Sequence, residues 1–268
     1  MRVACIQLNS STSLMDNLTV AENLIRQAAS DGAKFIATPE NTSLMQASTA
    51  DLFANIFYEK DFEAVENFAA LAKELSIDLL IGSMAVKVSN NKAANRSYLF
   101  DQNGTVKARY DKMHMFDVTI NQTETWQESA NYQAGDTPVM VDVGGFKLGL
   151  SICYDLRFAA LYKHYAAQGV NLITVPAAFT AITGKAHWEV LLRARAIETS
   201  SYVMAPAQGG VHQNGRATWG RSLIINPWGE VIAKIDNDAP GICIADINPQ
   251  MIADMRRKIP AWRQQTKL

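Results

Sequence analysis

Cys153 stands where a strand-like run, residues 147–152, meets Tyr154-Asp155-Leu156-Arg157, a segment that opens a helix. A side chain at a strand-to-helix turn is exposed, has backbone N–H groups beside it, and feels a helix N-terminus that favours a thiolate. That is a nucleophile's setting, although a free cysteine is more often a buried structural residue. Cys5 and Cys243 sit inside apolar strands, and for them the structural reading holds.

A thiol nucleophile needs a base. The histidines, His114, His164, His187 and His212, carry no signature of their own. Glu40 follows the apolar run Phe35-Ile36-Ala37-Thr38 and Pro39. Burial there would raise its pKa towards that of a useful base, while a helix cap or a loop ion pair explains it equally well. Lys112 lies among the apolar and aromatic residues of Tyr110-Asp111-Lys112-Met113-His114-Met115-Phe116-Asp117. Its ammonium could lower the thiol pKa and stabilise an oxyanion, whereas most lysines are simply solvated. Glu128, in Trp126-Gln127-Glu128-Ser129, is a second carboxylate that could hold the lysine.

These residues must be positioned by alternating strands and helices. Residues 2–8 read as a strand. Residues 16–29 read as a helix with Leu18, Ala21, Leu24, Ile25 and Ala28 at helical spacing and Asp16 as N-cap. Residues 35–38 are a buried strand, 62–75 a helix and 78–83 a strand, and two hairpin strands flank the turn at 101–104. In the second half, strands are expected at 146–152, 171–176, 202–206, 222–225, 231–235 and 241–247. Helices are expected at 158–168 and 185–200 and from Asn248, followed by an extended end. Strand, helix, strand over residues 2–39 is echoed over residues 148–176, so two similar halves packed as paired sheets with helices outside are expected. No low-complexity linker divides the 268 residues, which read as one α/β domain.

Composition narrows the classes of function. Nearly half the residues are apolar and the formal net charge is −1, which gives no general attraction to nucleic acid or to an acidic membrane. A small-molecule substrate is the default partner. The three cysteines are far apart and odd in number, which favours a reducing compartment over a disulfide framework. With no apolar run approaching ~20 residues, a soluble cytoplasmic protein is expected.

Pro39-Glu40-Asn41, then Asp111 to Asp117, then Ser151-Ile152-Cys153-Tyr154-Asp155-Leu156-Arg157-Phe158 resemble, in order and separation, the three catalytic blocks of the nitrilase (carbon–nitrogen hydrolase) superfamily. Gly184-Lys185-Ala186-His187-Trp188-Glu189, Gly220-Arg221-Ser222 and Asn226-Pro227-Trp228-Gly229 extend the likeness over residues 2 to about 260. The chain is most similar to the Nit-type branch of deaminated-glutathione amidases and ω-amidases. It departs from that branch at Ala159-Ala160, Arg221 and Asn226, which bears on substrate and not on chemistry.

The resemblance implies a four-layer α-β-β-α sandwich, paired with a second copy into a homodimer or higher oligomer, and no metal or organic cofactor. It implies that Glu40 takes the Cys153 proton and that the thiolate attacks an amide carbonyl. Lys112 and the Tyr154 backbone N–H hold the oxyanion, Glu128 supports Lys112, and a thioester is then hydrolysed. Phe179 and Thr183 are the family-based candidates for a pocket wall. Arg157, four residues past the nucleophile and so nearly on its face in a helix, suits a bidentate grip on a substrate carboxylate; a salt bridge to Asp155 or a surface charge is the alternative. The expected activity is hydrolysis of a terminal amide of a small carboxylic or 2-oxo acid, deaminated glutathione first, releasing the acid and ammonia. Alternatives are an ω-amidase acting on 2-oxoglutaramate, and a nitrilase or N-carbamoyl amidohydrolase. Further off stand a Cys–His thiol protease using His114 or His187 and a non-catalytic binding protein. For assembly, the apolar and basic segment from Trp188 to Ile197 is the expected contact, with Arg193, Arg195 and Glu198 pairing across a two-fold axis.

Overall fold

The apolar runs pair into two six-stranded sheets in the computed structural model, which describes residues 1–122 and 124–264. The first sheet has the spatial order Gly241–Asp246, Arg2–Gln7, Phe35–Ala37, Asp78–Lys87, Ala93–Phe100 and Val106–Asp111. The second runs Val231–Lys234, Leu223–Ile225, Tyr202–Ala205, Leu172–Thr174, Phe146–Leu150 and Met140–Val143. Arg2–Gln7, Phe35–Ala37 and Asp78–Lys87 are parallel, and parallel neighbours need a crossover. The helices Leu14–Ser30 and Glu63–Leu75 supply it. In the second sheet Phe146–Leu150, Leu172–Thr174 and Tyr202–Ala205 are parallel in the same way, through helices Ala159–Ala167 and Ala181–Thr199. The two halves expected from the sequence therefore share one connectivity.

Period-2 alternation along the strands builds the layers. Val3, Cys5, Phe35, Ala37, Leu80 and Leu99 join a core that includes Leu148, Leu150, Val203 and Ile224 of the second sheet. Their neighbours Ala4, Ile6, Ile36, Leu79 and Ile81 form another core with Ala21, Ile25, Phe68 and Leu71 of the helices. On the far side, Tyr162, Tyr165, Trp188 and Leu192 pack on the second sheet. The order is helix, sheet, sheet, helix, the α/β sandwich the resemblance implies.

Several local expectations change. Ser13, not Asp16, caps the first helix, its hydroxyl accepting from Asp16 N–H at 3.4 Å. The helix expected from residue 185 begins at Ala181, because the Thr180 side chain caps it. Residues 153–157 form a 3-10 turn, and the α-helix starts only at Ala159. Helix Thr49–Asn55 and two small hairpins, Asp117–Thr119 with Thr125–Gln127 and Gly209–Val211 with Ala217–Trp219, were not anticipated. After helix Pro249–Lys258, residues 260–263 are a 3-10 turn instead of extended chain, and residues 265–268 of the tail lie outside those described. Within the chain Arg193 Nε donates to Gly229 O, and Arg195 donates to Leu156 O and Glu198. No helix among the described residues is long and apolar enough to cross a membrane.

Candidate active site

Beyond strand Phe146–Leu150 the chain turns sharply at Cys153, whose φ is +47°. A non-glycine residue in this left-handed region costs on the order of 1–3 kcal/mol, so surrounding bonds must enforce it. Cys153 N–H donates to Pro176 O at 2.9 Å and Ile152 N–H to Asp155 Oδ2 at 2.9 Å. The fully buried Asp155 also accepts from the Tyr110 hydroxyl at 2.7 Å and from His114 N–H at 3.0 Å. From the helix layer, Arg195 Nε and Nη2 donate to Leu156 O at 3.1 and 2.9 Å.

Glu40 arrives from the other sheet, just past strand Phe35–Ala37, and is 3 % exposed. Gln208 Nε2 fixes its backbone by donating to Glu40 O at 2.9 Å. Its Oε1 accepts from Lys112 Nζ and from Asn95 Nδ2, both at 2.9 Å, and its Oε2 from Ala178 N–H at 2.9 Å. Lys112, 2 % exposed, also donates to both oxygens of Glu128 at 3.0 and 2.8 Å. Asn95 Nδ2 reaches Glu128 Oε1 at 3.1 Å, and Phe116 N–H donates to Glu128 Oε2 at 2.7 Å. One buried ammonium and one amide thus tie two carboxylates together beside the thiol.

The charges correct two expectations. Burial pushes the Glu40 carboxyl up, but the Lys112 charge and hydrogen bond, with the Cys153 thiol and Arg216, hold it below its ordinary value of 4.5. Burial and the Glu40 charge push the Cys153 thiol well above its ordinary value, more than Lys112 and the Ala178 N–H lower it. Burial alone would lower Lys112, yet Glu128, Glu40 and Cys153 raise it well above the ordinary value. The resting site therefore pairs a neutral thiol with an ionised carboxylate and an ammonium. The carboxylate is ready to accept a proton, and no preformed thiolate is present.

A cavity of about 260 Å³ opens over this group, lined by Glu40, Lys112, Glu128, Cys153, Tyr154, Phe179 and Thr183 among others. Arg157 does not line it. In a 3-10 turn three residues make a full rotation, so the residue four past Cys153 is carried off its face. The Arg157 guanidinium instead lies 5.9 and 5.2 Å from the Tyr154 and Phe179 ring centres, with His187 Nδ1 at 3.3 Å from Nη1. His114 is stacked on Phe158 at 3.6 Å with Nδ1 2.7 Å from Asp155 Oδ1. Neither His114 nor His187 lines the cavity, which leaves a Cys–His protease without its base. Asn95 and Arg216 escaped the sequence reading. Asn95 had a faint signal as an amide within the otherwise apolar start of strand Ala93–Phe100; Arg216, in a hairpin turn, had none. No group of three or more metal-ligating side chains is assembled among the described residues.

Residues 2–257 match the model of the carbon-nitrogen hydrolase family, and the chain belongs to that family. It falls in the Nit branch of the nitrilase superfamily, hydrolases of carbon–nitrogen bonds other than peptide bonds. It is 41 % identical over 263 residues to a deaminated glutathione amidase of Synechocystis sp., covering 96 % of this chain and 95 % of that one. It is 37 % identical to the human omega-amidase NIT2, covering 98 % and 94 %. Among solved structures, the C. elegans NitFhit protein superposes with a TM-score of 0.91 at 32 % identity, over 98 % of this chain but only 64 % of that longer one. Saccharomyces cerevisiae Nit3 gives 0.87 at 27 % identity, over 97 % and 94 %.

Proposed function

We propose that the chain is an amidase acting on a small carboxylic or 2-oxo acid, with deaminated glutathione as substrate and Cys153 as nucleophile. The observation that carries this reading is Lys112 held between Glu40 and Glu128 beside the buried Cys153 thiol. Glu40 takes the thiol proton as sulfur bonds to the amide carbon. The oxyanion is held by Lys112 Nζ and by the Tyr154 N–H, which lies between two amides already committed to Pro176 O and Ile152 O. Collapse breaks the carbon–nitrogen bond, Glu40 returns the proton to the departing nitrogen, and a thioester remains. Glu40 then deprotonates a water, which displaces the sulfur; the thiol recovers its proton and the acid leaves.

The relatives named for deaminated glutathione and for ω-amides support the substrate class. With deaminated glutathione the scissile nitrogen is that of its cysteinyl residue, so the leaving group is an amine and not the ammonia expected above; with 2-oxoglutaramate it is ammonia. The test is the rate of acid formation from deaminated glutathione, 2-oxoglutaramate, a nitrile and an N-carbamoyl amino acid. Deaminated glutathione should rank first. Preference for 2-oxoglutaramate would make the enzyme an ω-amidase, and preference for the nitrile or carbamoyl compound would refute the reading. A cytoplasmic setting fits the three free cysteines, each buried.

A further inference from the structure

The cavity lining holds two cations among the described residues, Lys112 and Arg216. Lys112 is matched by two carboxylates; Arg216 is matched by none. Arg96, Arg195 and Arg221 each pair with a carboxylate, whereas Arg216, in the cavity wall beside Cys153, has none. Arg216 sits in the turn joining Gly209–Val211 to Ala217–Trp219. Its Nη2 donates to Ala178 O at 2.5 Å, and its Nη1 meets the Met45 thioether, a weak acceptor, at 3.8 Å. Its Nε is buried with no partner. The guanidinium lies over the Trp126 ring, 4.6 Å from its centre.

The charge balance points the same way. With both carboxylates and Lys112 ionised, the catalytic group carries one net negative charge and repels an anionic substrate. Arg216 neutralises it. One residue links the two: Ala178 gives its N–H to Glu40 and its carbonyl to Arg216. A planar, partly unsatisfied guanidinium over an apolar and aromatic floor is suited to a carboxylate.

Resting on the amidase reading above, we infer that Arg216, and not Arg157, binds the anionic end of the substrate and selects ω-amides that carry a carboxylate. The test measures two things in the wild type, Arg216→Gln, Arg216→Lys and Arg157→Gln. The first is glutarate binding by calorimetry, which needs no turnover. The second is kcat/KM for 2-oxoglutaramate and for 4-oxopentanamide, in which a methyl group replaces the carboxylate. Arg216→Gln should weaken glutarate and lower kcat/KM for the acid by at least ~30-fold, the scale for losing one partner of a desolvated charge pair. The loss on the neutral amide, which reports the part of the effect that passes through Glu40, should be much smaller than the loss on the acid, Arg216→Lys should recover part of the difference, and Arg157→Gln should change neither quantity. Unchanged glutarate binding in Arg216→Gln, no glutarate binding by the wild type, or equal losses on both amides would overturn the inference. If no carboxylate-bearing amide is turned over by the wild type, the functional reading fails, while glutarate binding still decides the role of Arg216.

Discussion

Asn95 Nδ2 lies 2.9 Å from Glu40 Oε1, on the same oxygen that accepts from Lys112. The amide stabilises the ionised form of this carboxylate, the proposed base, without adding charge of its own. Asn95→Ala should lower kcat by about tenfold or more with KM nearly unchanged, because the base is no longer fixed. Losing a donor to the carboxylate raises its pKa, so the acid limb of kcat/KM should move to higher pH. A limb that stays in place in the pH profile of the variant would reduce Asn95 to a packing residue.

Lys112 is held by Glu40 and Glu128 in a buried group, so deleting it leaves two carboxylates facing each other. Lys112→Met should cost about 3–5 kcal/mol of stability at neutral pH in denaturant titrations. It should also lower kcat at least ~100-fold. Adding Glu128→Gln should restore part of the stability and none of the rate. A Lys112 variant altered only in KM would remove the oxyanion role.

The pH profile separates a neutral resting thiol from a preformed thiolate. Glu40 is held below 4.5, so its ionised form should persist to lower pH than an ordinary glutamate and its acid limb should fall below that value. The same shift has a consequence for folding. A carboxyl with a depressed folded-state pKa contributes stability above the unfolded value, and that contribution is lost as pH falls through the folded one. Because the Cys153 thiol is pushed well above its ordinary value, kcat/KM should be flat from about pH 5 to about pH 8. A tenfold rise per unit across that range would mean that the free thiolate is the reacting species.

Helix Ala181–Thr199 exposes Ile182, Val190 and Ile197, and Ile197 lies against Gly229, next in the chain to the exposed Trp228. A second copy packed on this face is the assembly we propose, held by apolar contact. Light scattering at micromolar concentration should give at least a dimer, and Val190→Asp should shift it towards monomer. A monomer mass for the wild type would contradict the pairing.

Much of this site was legible because its side chains leave regular elements. Glu40 follows a three-residue buried strand and Cys153 a longer one, and both strands announce themselves by apolar runs. The proton affinities were misread, because burial was weighed without the partners that only the fold brings together. Asn95 is 55 residues from Glu40 in sequence, and Ala178 is 138. Arg157 lies off the cavity lining for a local reason: a 3-10 turn in place of an α-helix rotates the fourth residue away. Arg216 could not have been chosen from the sequence, since an arginine in a hairpin turn is ordinarily solvated.

The role proposed for Cys153 as nucleophile is tested by the turnover of Cys153→Ala on the best substrate. No hydrolysis above the uncatalysed background is expected, with the folded circular-dichroism spectrum retained and with Cys5→Ala still active. Measurable catalysis by folded Cys153→Ala would contradict it.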